Sequence, residues 1–536
     1  MHRVFATLVA GLMLNPAMVA AAPPSGNDSK TATPIKHLVV IFQENVSFDH
    51  YFGTYPNALN LKGDIQFTPA ANTPTVNGLS TALLTINGNL LNTTNGTGAA
   101  NPFRLSRIEA STADQDHDYT PEQQAFDFGL MDLFPNFTGA GGTAIGGTGT
   151  PAVFNTNGLT MGYFDGNTVT GYWNYAQNFA MSDASYDTNF GPSTPGALNL
   201  ISGQTNGVSD NINGTGSVID GGDSSLTVIS DSDPIGDVCS TPTGEKFTMG
   251  GKNIGDLLNS AGVTWGFFEG GFDLATVNAN GSTGCTRSTT STVTTVKKND
   301  YIPHHQPFQY YPSTANPTHA RPTSVNEIGS NGRANHQYDI NDFYNALDNG
   351  VLPAVSFLKA PGFQDGHAGY SDPLDEQTFV VGVINKLEQS PEWASTAVII
   401  AYDDSDGWYD HQFSPTVNQS TTSADALTGT GACGNGTTAL PGIAGNPHAQ
   451  GRCGYGPRLP FLVISPFAKK NFVDHSTTDQ SSIIHFVEDN WLGGERIGEG
   501  SFDAVSGPIN NMFDFTHLRQ DGVLLLSPAT GQVAPQ

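Results

Sequence analysis

Two short apolar runs, each followed by oxygen-bearing side chains, place the strongest constraint on the fold of this chain. His37 to Phe42 and Ala397 to Tyr402 have the length and composition of buried strands. Ligands of open α/β sheets bind beyond the carboxyl ends of the strands, and hard cations take oxygen ligands. The two runs together predict one divalent metal site at one edge of a sheet. The pair of oxygen-bearing residues after either run, taken alone, is equally typical of loop residues or helix caps. The candidate ligands are Glu44, Asn45, Asp403 and Asp404.

Strand-like and helix-like segments alternate in the second half of the chain. Leu352 to Leu358 and Pro460 to Ser465 have strand character, whereas Tyr338 to Leu347, Leu374 to Glu388 and Asp479 to Trp491 have helix character. Such alternation is typical of parallel strands connected by helices. We therefore predict an α/β fold with a central, mostly parallel sheet flanked by helices.

The segment 203–334 differs in composition from its surroundings, because it is rich in Gly, Ser, Thr and Asn. We interpret it as a loop-rich insertion or cap over one end of the sheet, with one short strand at Val263 to Phe268. It would divide the α/β core into a first part, 34–202, and a second part, 335–520. Whether it forms a substrate lid or packs inertly around a disulfide stays open.

The start of the chain and its cysteines predict export. A short basic start, an apolar stretch and an Ala-x-Ala site indicate a signal peptide over 1–22, and hence a periplasmic or secreted protein. The sequence contains no other stretch long enough to span a bilayer, so we expect no stable membrane anchor. Four cysteines in an exported chain predict two disulfides, and sequence proximity favours Cys239–Cys285 with Cys433–Cys453 among the three possible pairings.

The charge balance excludes one class of partner. The chain has 21 basic and 49 acidic residues, a formal charge of −28. Binding to a nucleic-acid backbone requires clustered Lys and Arg, so we expect no nucleic-acid partner. The same charge repels anionic substrates at neutral pH, and that repulsion weakens in acid or beside a bound cation. Activity in acidic surroundings is therefore favoured, although an acidic surface also serves solubility alone. The oligomeric state stays open.

Ser193 is placed by its neighbours at the start of a helix. Gly191-Pro192 forces a turn, and Pro195 suits the first turn of a helix that continues through Ala197 to Ser202. Backbone N–H groups and the helix dipole favour an anion at this end. The Ser193 hydroxyl could cap the helix or act as a nucleophile toward a phosphoryl group. Sequence spacing does not decide between these two roles.

Several histidines lie in polar, loop-like contexts. Each one alone is typical of a surface or structural histidine. Together they could protonate a leaving group and supply positive charge near a phosphate. The candidates are His117, His304, His305, His367 and the pair Asp410-His411.

Taken in order, these motifs resemble the bacterial phosphoesterase family that holds phospholipases C and the exported acid phosphatase A. The resemblance spans about 34–516, nearly the whole mature chain. The opening motif is long and specific, and the short ones gain weight from their order. The matching segments are Lys36 to Gly53, Gly191-Pro-Ser, His305-x-Pro-Phe, Leu352-Pro-x-Val-Ser-Phe, Asp403-Asp404-x-Asp-Gly-Trp-Tyr-Asp-His411 and Met512-Phe-Asp-Phe515.

The resemblance implies a fold similar to the alkaline phosphatase superfamily and a role for each matching residue. Ser193 takes the nucleophile position. Glu44, Asn45, Asp403 and Asp404 take the positions of ligands to one divalent metal ion, whose identity stays open. His117, His305 and His367 surround the phosphate and the leaving group, with His304, Asp410 and His411 as further candidates for substrate binding.

Three departures favour the acid phosphatase branch. The family's phospholipases C usually present Thr at the position of Ser193 and Asp-Glu at the position of Asp403-Asp404. They also carry C-terminal β domains, whereas this chain ends about twenty residues after Phe515. We therefore predict an exported, metal-dependent acid phosphatase that acts on small phosphomonoesters through a phosphoserine. A phospholipase C acting on phosphodiester lipids such as phosphatidylcholine is the alternative, and a non-catalytic binding protein is a third hypothesis.

Overall fold

The computed structural model describes residues 30–141, 151–214, 216–517, 519 and 522–535. The predicted signal peptide, 1–22, lies outside these residues. Among the residues described, no helix has the length and apolar character needed to cross a membrane. Both disulfides, Cys239–Cys285 and Cys433–Cys453, have the pairing that sequence proximity favours.

Eight strands of the described chain form a central sheet in the spatial order β4-β3-β5-β1-β6-β7-β2-β8. The first five of these, from β4 to β6, run parallel, and β7 is antiparallel to both of its neighbours. The predicted α/β class with a mostly parallel sheet is confirmed. In chain order the strands are β1 (His37–Gln43), β2 (Ala180–Ser182), β3 (Trp265–Glu269), β4 (Gln337–Asp339), β5 (Val355–Lys359), β6 (Thr396–Tyr402), β7 (Phe461–Ile464) and β8 (Phe472–Asp474).

The register between β1 and β6 brings the two predicted ligand pairs together. Every residue of β6 is buried, and only His37 of β1 is partly exposed, as expected for apolar strands at the centre of a parallel sheet. Gln43 is paired with Tyr402. The residues that follow, Glu44 and Asp403, therefore leave the sheet side by side at its carboxyl edge.

Helices pack in two groups around this sheet. The Ser193–Ser202 helix contacts Ile254–Ala261 and Ser482–Trp491, whereas Thr170–Asn178 contacts Pro373–Glu388. The other helix of eight or more described residues is Ile340–Asp348, which Asp339 caps through a capping box with Asp342. The segment predicted as one helix from Tyr338 is thus a strand end followed by a helix. The shorter helices are Phe48–Phe52, Thr81–Thr85, Gly88–Leu91, Tyr119–Ala125 and Phe134–Phe137.

The strand predicted at Val263 to Phe268 is present as β3, but it belongs to the central sheet and not to a cap over it. Trp265–Glu269 lies inside the central sheet, hydrogen-bonded to both β4 and β5, and all five of its residues are buried, as expected for an internal strand. The remainder of the segment does lie outside that sheet. It forms a hairpin, Ser288–Thr290 with Lys297–Asn299, and a second sheet of Asn206–Ile212, Val218–Asp220, Leu226–Val228, Asp233–Pro234 and Lys246–Met249. Two small strand pairs complete the fold, Phe103–Leu105 with Gly162–Phe164 and Ser185–Tyr186 with Thr478–Asp479.

Candidate active site

Ser193 is the first helical residue, and the N-cap position before it is occupied by Pro192, which makes no side-chain capping hydrogen bond. Its Oγ lies 3.1 Å from Glu44 Oε2 and 3.2 Å from Asp404 Oδ2. One hydroxyl proton can be donated to only one of these carboxylates at a time. Of the two roles that the sequence left open, the geometry therefore favours a hydroxyl aimed at acidic side chains over a simple helix cap.

Two glycines bring this helix close to the end of β6. Gly191 has a φ of +123°, which L-residues rarely adopt, and turns the chain into the helix. A Cβ on Gly196 would lie 2.0 Å from the Asp403 carbonyl oxygen. The helix therefore packs backbone to backbone against the residue that precedes Asp404, which sets the distance between Ser193 and the carboxylates.

Lys359, the last residue of β5, neutralises part of the acidic cluster. Its Nζ lies 2.9 Å from Asp403 Oδ2 and also contacts Glu44 Oε1, and all three side chains are buried. Burial opposes the charge on this lysine, but Asp403 and Glu44 raise its pKa above the usual value. Lys359 was not among the predicted site residues, although a charged residue directly after the predicted strand, Leu352 to Leu358, was a signal for it.

The carboxylates of the cluster have opposite electrostatic behaviour. Burial opposes ionisation of Glu44, but His305 and Lys359 hold the pKa of its carboxyl well below the usual range. Burial and then the Glu44 charge raise the pKa of Asp403 well above its usual value. Burial likewise raises the pKa of Asp404 to about 7. Three close carboxyl groups thus share one lysine, and only the Glu44 carboxyl has a lowered pKa.

Asn45 supplies an oxygen without a protein partner. Its Nδ2 lies 3.3 Å from His117 Nε2. Its Oδ1 is buried and accepts no hydrogen bond from the residues described. Buried polar atoms are nearly always satisfied, so this oxygen requires a water or a cation. Together with the carboxylates of Glu44, Asp403 and Asp404, it forms a donor set of hard oxygens that fits a divalent cation.

His305 and His304 lie on one side of the cluster. His305 is buried with its Nδ1 3.3 Å from Glu44 Oε1, and burial lowers the pKa of its imidazole well below the usual value. The His304 ring packs edge-on against it, with 4.6 Å between centroids, and lies 3.6 Å from Asp233. Burial opposes protonation of His304, but Asp231 and Asp233 raise its pKa.

His117 and His367 lie on another side, together with two acids that sequence analysis did not select. The imidazole centroids are 5.8 Å apart, and His117 Nδ1 is 3.5 Å from Asp406 Oδ1 and 3.7 Å from Asp114 Oδ1. The ligand atoms of these four residues lie within 4.8 Å of one another, close enough to hold a metal ion. Both acids belong to or adjoin motifs that were recognised for their histidines and for Asp403-Asp404.

Burial and neighbouring charges distinguish these two histidines. Burial lowers the pKa of His367. Burial acts in the same direction on His117, but Asp404 and Asp406 outweigh it and raise the pKa of this imidazole well above its usual value. His117 is thus the histidine of this pair that is more readily protonated.

The structure does not bring Asp410 and His411 to this cluster. Asp410 Oδ2 accepts hydrogen bonds from the buried guanidinium of Arg458 and from the Asp49 backbone. His411 Nδ1 lies 2.6 Å from Asp49 Oδ2. Within the described chain neither side chain contacts Ser193 or the predicted metal ligands. A fully buried arginine requires carboxylate partners, and these residues provide that structural function instead.

Comparison with known proteins gives relatives along nearly the whole chain. A non-hemolytic phospholipase C of Burkholderia pseudomallei is 24% identical over 540 residues, covering 98% of this chain and 65% of that protein. A non-hemolytic phospholipase C of Pseudomonas aeruginosa is 23% identical, covering 96% of this chain and 62% of that protein. Phospholipase C A of Mycobacterium tuberculosis is 24% identical, covering 90% and 78%. The chain therefore spans less than two thirds of the length of the first two relatives.

Among solved structures, murine ectonucleotide pyrophosphatase/phosphodiesterase 5 matches with a TM-score of 0.30 and 12% identity, covering 65% of this chain and 95% of that one. A score this low carries no argument, and the α/β class rests on the sheet itself.

The model of the Phosphoesterase family matches residues 35–492, a range that contains Ser193 and every predicted metal ligand. This chain belongs to the Phosphoesterase family.

Proposed function

We propose that this chain is an exported, metal-dependent acid phosphatase that hydrolyses phosphomonoesters through a phosphoserine intermediate. The observation that carries the proposal is the position of Ser193 Oγ, at a helix N-terminus and within 3.2 Å of both Glu44 and Asp404. A nucleophile placed there faces the region where backbone N–H groups favour an anion. Membership of the family supports phosphoester hydrolysis as the reaction class.

The proposed reaction has two displacements on phosphorus. Ser193 Oγ gives its proton to a neighbouring carboxylate and attacks phosphorus in line, and the ester P–O bond breaks as the new P–O bond forms. The alcohol leaves with a proton from a histidine. The sequence motifs favour His305 or His367 as this donor, whereas the raised pKa of His117 favours that imidazole instead. Water then attacks the phosphoserine, releasing phosphate and restoring Ser193.

One divalent cation would be held by Glu44, Asn45, Asp403 and Asp404. When bound, it would supply Lewis-acid stabilisation of negative charge on the serine and phosphoryl oxygens. The unpartnered Oδ1 of Asn45 and the excess of carboxylates over lysine support this assignment. The neighbouring group around His117 and Asp406 is a second candidate for metal binding. Elemental analysis of the purified protein would give the number of metal ions bound per chain.

Export and an acidic working range are also part of the proposal. Two disulfides are typical of chains that fold in an oxidising compartment. A formal charge of −28 disfavours anionic substrates at neutral pH and does so less as carboxylates protonate in acid. We expect small phosphate esters as substrates, with phospholipids as the alternative, and no nucleic-acid partner.

The decisive experiment compares hydrolysis of p-nitrophenyl phosphate with that of p-nitrophenyl phosphorylcholine by the wild type and by Ser193→Ala. We expect faster monoester cleavage that increases toward acid, sensitivity to a chelator, and a loss of at least about a thousandfold in kcat for the variant, because its nucleophile is gone. Ser260→Ala is the matched control, since Ser260 is exposed on another helix and, within the described part of the chain, donates only to the Asp256 carbonyl.

Each other outcome selects a different function. Preference for the choline diester, with the same dependence on Ser193, would make the chain a phospholipase C, which the names of its relatives support. Binding of phosphate without turnover of either ester would make it a binding protein. Near wild-type turnover by Ser193→Ala would refute the phosphoserine mechanism.

A further inference from the structure

Lys298 lies next to the proposed active site but is neither a predicted metal ligand nor a predicted catalytic residue. It belongs to the hairpin formed by Ser288–Thr290 and Lys297–Asn299. Its Nζ lies 3.5 Å from the centroid of the Tyr370 ring, a cation–π contact. Tyr370 in turn stacks on His367, with 4.5 Å between the centroids and 22° between the planes. The ammonium group is therefore connected to the site through two consecutive ring contacts.

Two of the acids near Lys298, Glu44 and Asp114, belong to the site. Burial lowers the pKa of Lys298, whereas Asp365, Glu44, Asp114 and Asp231 oppose that shift by favouring the charged ammonium. Within the described residues, however, none of them forms an ion pair with Lys298 at 4.0 Å or less. A partly buried ammonium that faces acids without contacting one retains N–H donors for a ligand. In a chain with 49 acidic and 21 basic residues, a cation here with no carboxylate partner among the described residues requires an explanation.

The hairpin that carries Lys298 is fixed to the carboxyl edge of the central sheet. Arg287, just before the hairpin, is hydrogen-bonded to Asp339 at 2.9 Å and lies 3.3 Å from Asp300, just after it. Gly362 allows the close approach, because a Cβ there would lie 2.5 Å from the Asn299 carbonyl oxygen and 2.9 Å from Lys298 Cγ. Lys298 is thus held in place by both ion pairs and backbone packing.

We propose that Lys298 binds the phosphoryl group of the substrate and selects dianionic phosphomonoesters over monoanionic diesters. A monoester carries a second negative charge on an oxygen that a diester uses for its second ester bond. A charge-assisted contact from an ammonium to that oxygen favours the monoester and adds much less for the diester. This inference rests on the proposed phosphatase function and names a residue that determines its substrate class.

The test uses Lys298→Met, which keeps the length of the side chain and removes its charge. The matched control is Lys297→Met, because the neighbouring Lys297 is exposed and strand alternation places it on the opposite face of the hairpin. We expect Lys298→Met to lower kcat/KM for p-nitrophenyl phosphate by about tenfold or more. We expect hydrolysis of p-nitrophenyl phosphorylcholine to change by less than about twofold, and Lys298→Arg to recover part of the monoester rate. Lys297→Met should match the wild type on both substrates.

A second readout does not depend on catalysis. Calorimetric titration of the metal-loaded protein, at a pH above the second pKa of phosphate, with inorganic phosphate and with dimethyl phosphate compares a dianionic and a monoanionic ligand. Lys298→Met should weaken phosphate binding by about tenfold and dimethyl phosphate binding much less.

The two hypotheses fail in different ways. Equal losses for both ligands and both esters, or no loss for phosphate, would overturn the role of Lys298 while leaving a Ser193-dependent phosphatase intact. A wild type that cleaves only diesters would instead overturn the phosphatase proposal, and selective loss of phosphate binding in Lys298→Met would still support the lysine contact.

Discussion

The chemistry of this site depends on how a few buried charges compensate one another. Glu44 and Asp403 share Lys359, and Ser193 donates toward Glu44 or Asp404. Removing charges from water is costly, and the cost is offset only when each charge has a close partner. A buried lysine between two carboxylates therefore stabilises the apo site and keeps its acids close enough to share a cation.

Lys359→Met tests how much Lys359 stabilises the two buried carboxylates beside it. The variant leaves Glu44 and Asp403 buried without their positive partner, so we expect a loss of about 3 kcal/mol or more in the free energy of unfolding. Urea unfolding of chelator-treated protein measures it. The matched control is Lys386→Met, because Lys386 pairs with Asp348 in an exposed position, and such a pair contributes less than about 1 kcal/mol. Equal effects of the two substitutions would contradict this account of the cluster.

Among the secondary-structure elements, the Ser193–Ser202 helix and β6 determine the geometry of the nucleophile. The helix begins at Ser193 and crosses the end of β6 at Gly196, whose missing side chain lets the two backbones touch. The turn at Gly191 is hydrogen-bonded to the buried Glu122, which also accepts from Ser405 in the loop after β6. The position of the Ser193 hydroxyl is thus determined by how the helix packs against β6.

Gly196→Ala should separate the helix from Asp403. The added methyl group would overlap the Asp403 carbonyl oxygen, so the helix must shift, and we expect kcat to fall by about a hundredfold for a displacement near 1 Å. Gly382→Ala is the control, since Gly382 lies in the Pro373–Glu388 helix with open space around its Cβ position. That change should raise stability by about 0.5–1 kcal/mol without altering kcat. Unchanged kcat in Gly196→Ala would show that the close contact does not position Ser193.

Across the whole molecule, several buried carboxyl groups favour their protonated form because burial disfavours the charge. Glu376 is an example, because burial raises its pKa to about 8 while it accepts hydrogen bonds from Tyr51 and Tyr402. Burial also raises the pKa of Glu388 to about 7 and that of Glu122 to about 8. A folded state that holds such protons is most stable in acid, which agrees with the proposed working range.

The direction of this pH dependence follows from proton linkage. Between the ordinary glutamate value of 4.5 and about 8, Glu376 is protonated in the folded state and ionised in the unfolded state. Unfolding therefore releases a proton. The contribution of Glu376 to the free energy of unfolding is complete below about pH 4.5 and is lost as the pH rises toward 8.

Glu376→Gln should remove this part of the pH dependence. We expect the free energy of unfolding of the variant to fall less steeply than that of the wild type between about pH 5 and pH 7.5, by about 1.4 kcal/mol per pH unit. Denaturant unfolding at several pH values measures the slopes, and Glu495→Gln, on an exposed residue, should keep the wild-type slope. Parallel slopes for the wild type and Glu376→Gln would contradict the linkage.

Local sequence pattern was sufficient to predict several elements of the fold and the family resemblance. The apolar runs at β1 and β6, the helix from Ser193, the cysteine pairings and the family motifs were all readable from neighbouring residues, because strand and helix periodicity, turn chemistry and short cysteine separations are local properties. The meeting of Glu44 with Asp403 was also predictable in outline, since parallel strands present their carboxyl ends at one edge.

Other features depend on which distant segments become neighbours. Lys359 enters the cluster because β5 pairs with β1, and Lys298 approaches it because a hairpin from another segment packs against Gly362. Asp410 and His411 leave the predicted site because Arg458 and Asp49 hold them. The sequence by itself determined the elements and the chemical types of the ligands. Strand order and long-range ion pairing, whose energies belong to contacts between residues far apart in the chain, decided which charges share the site.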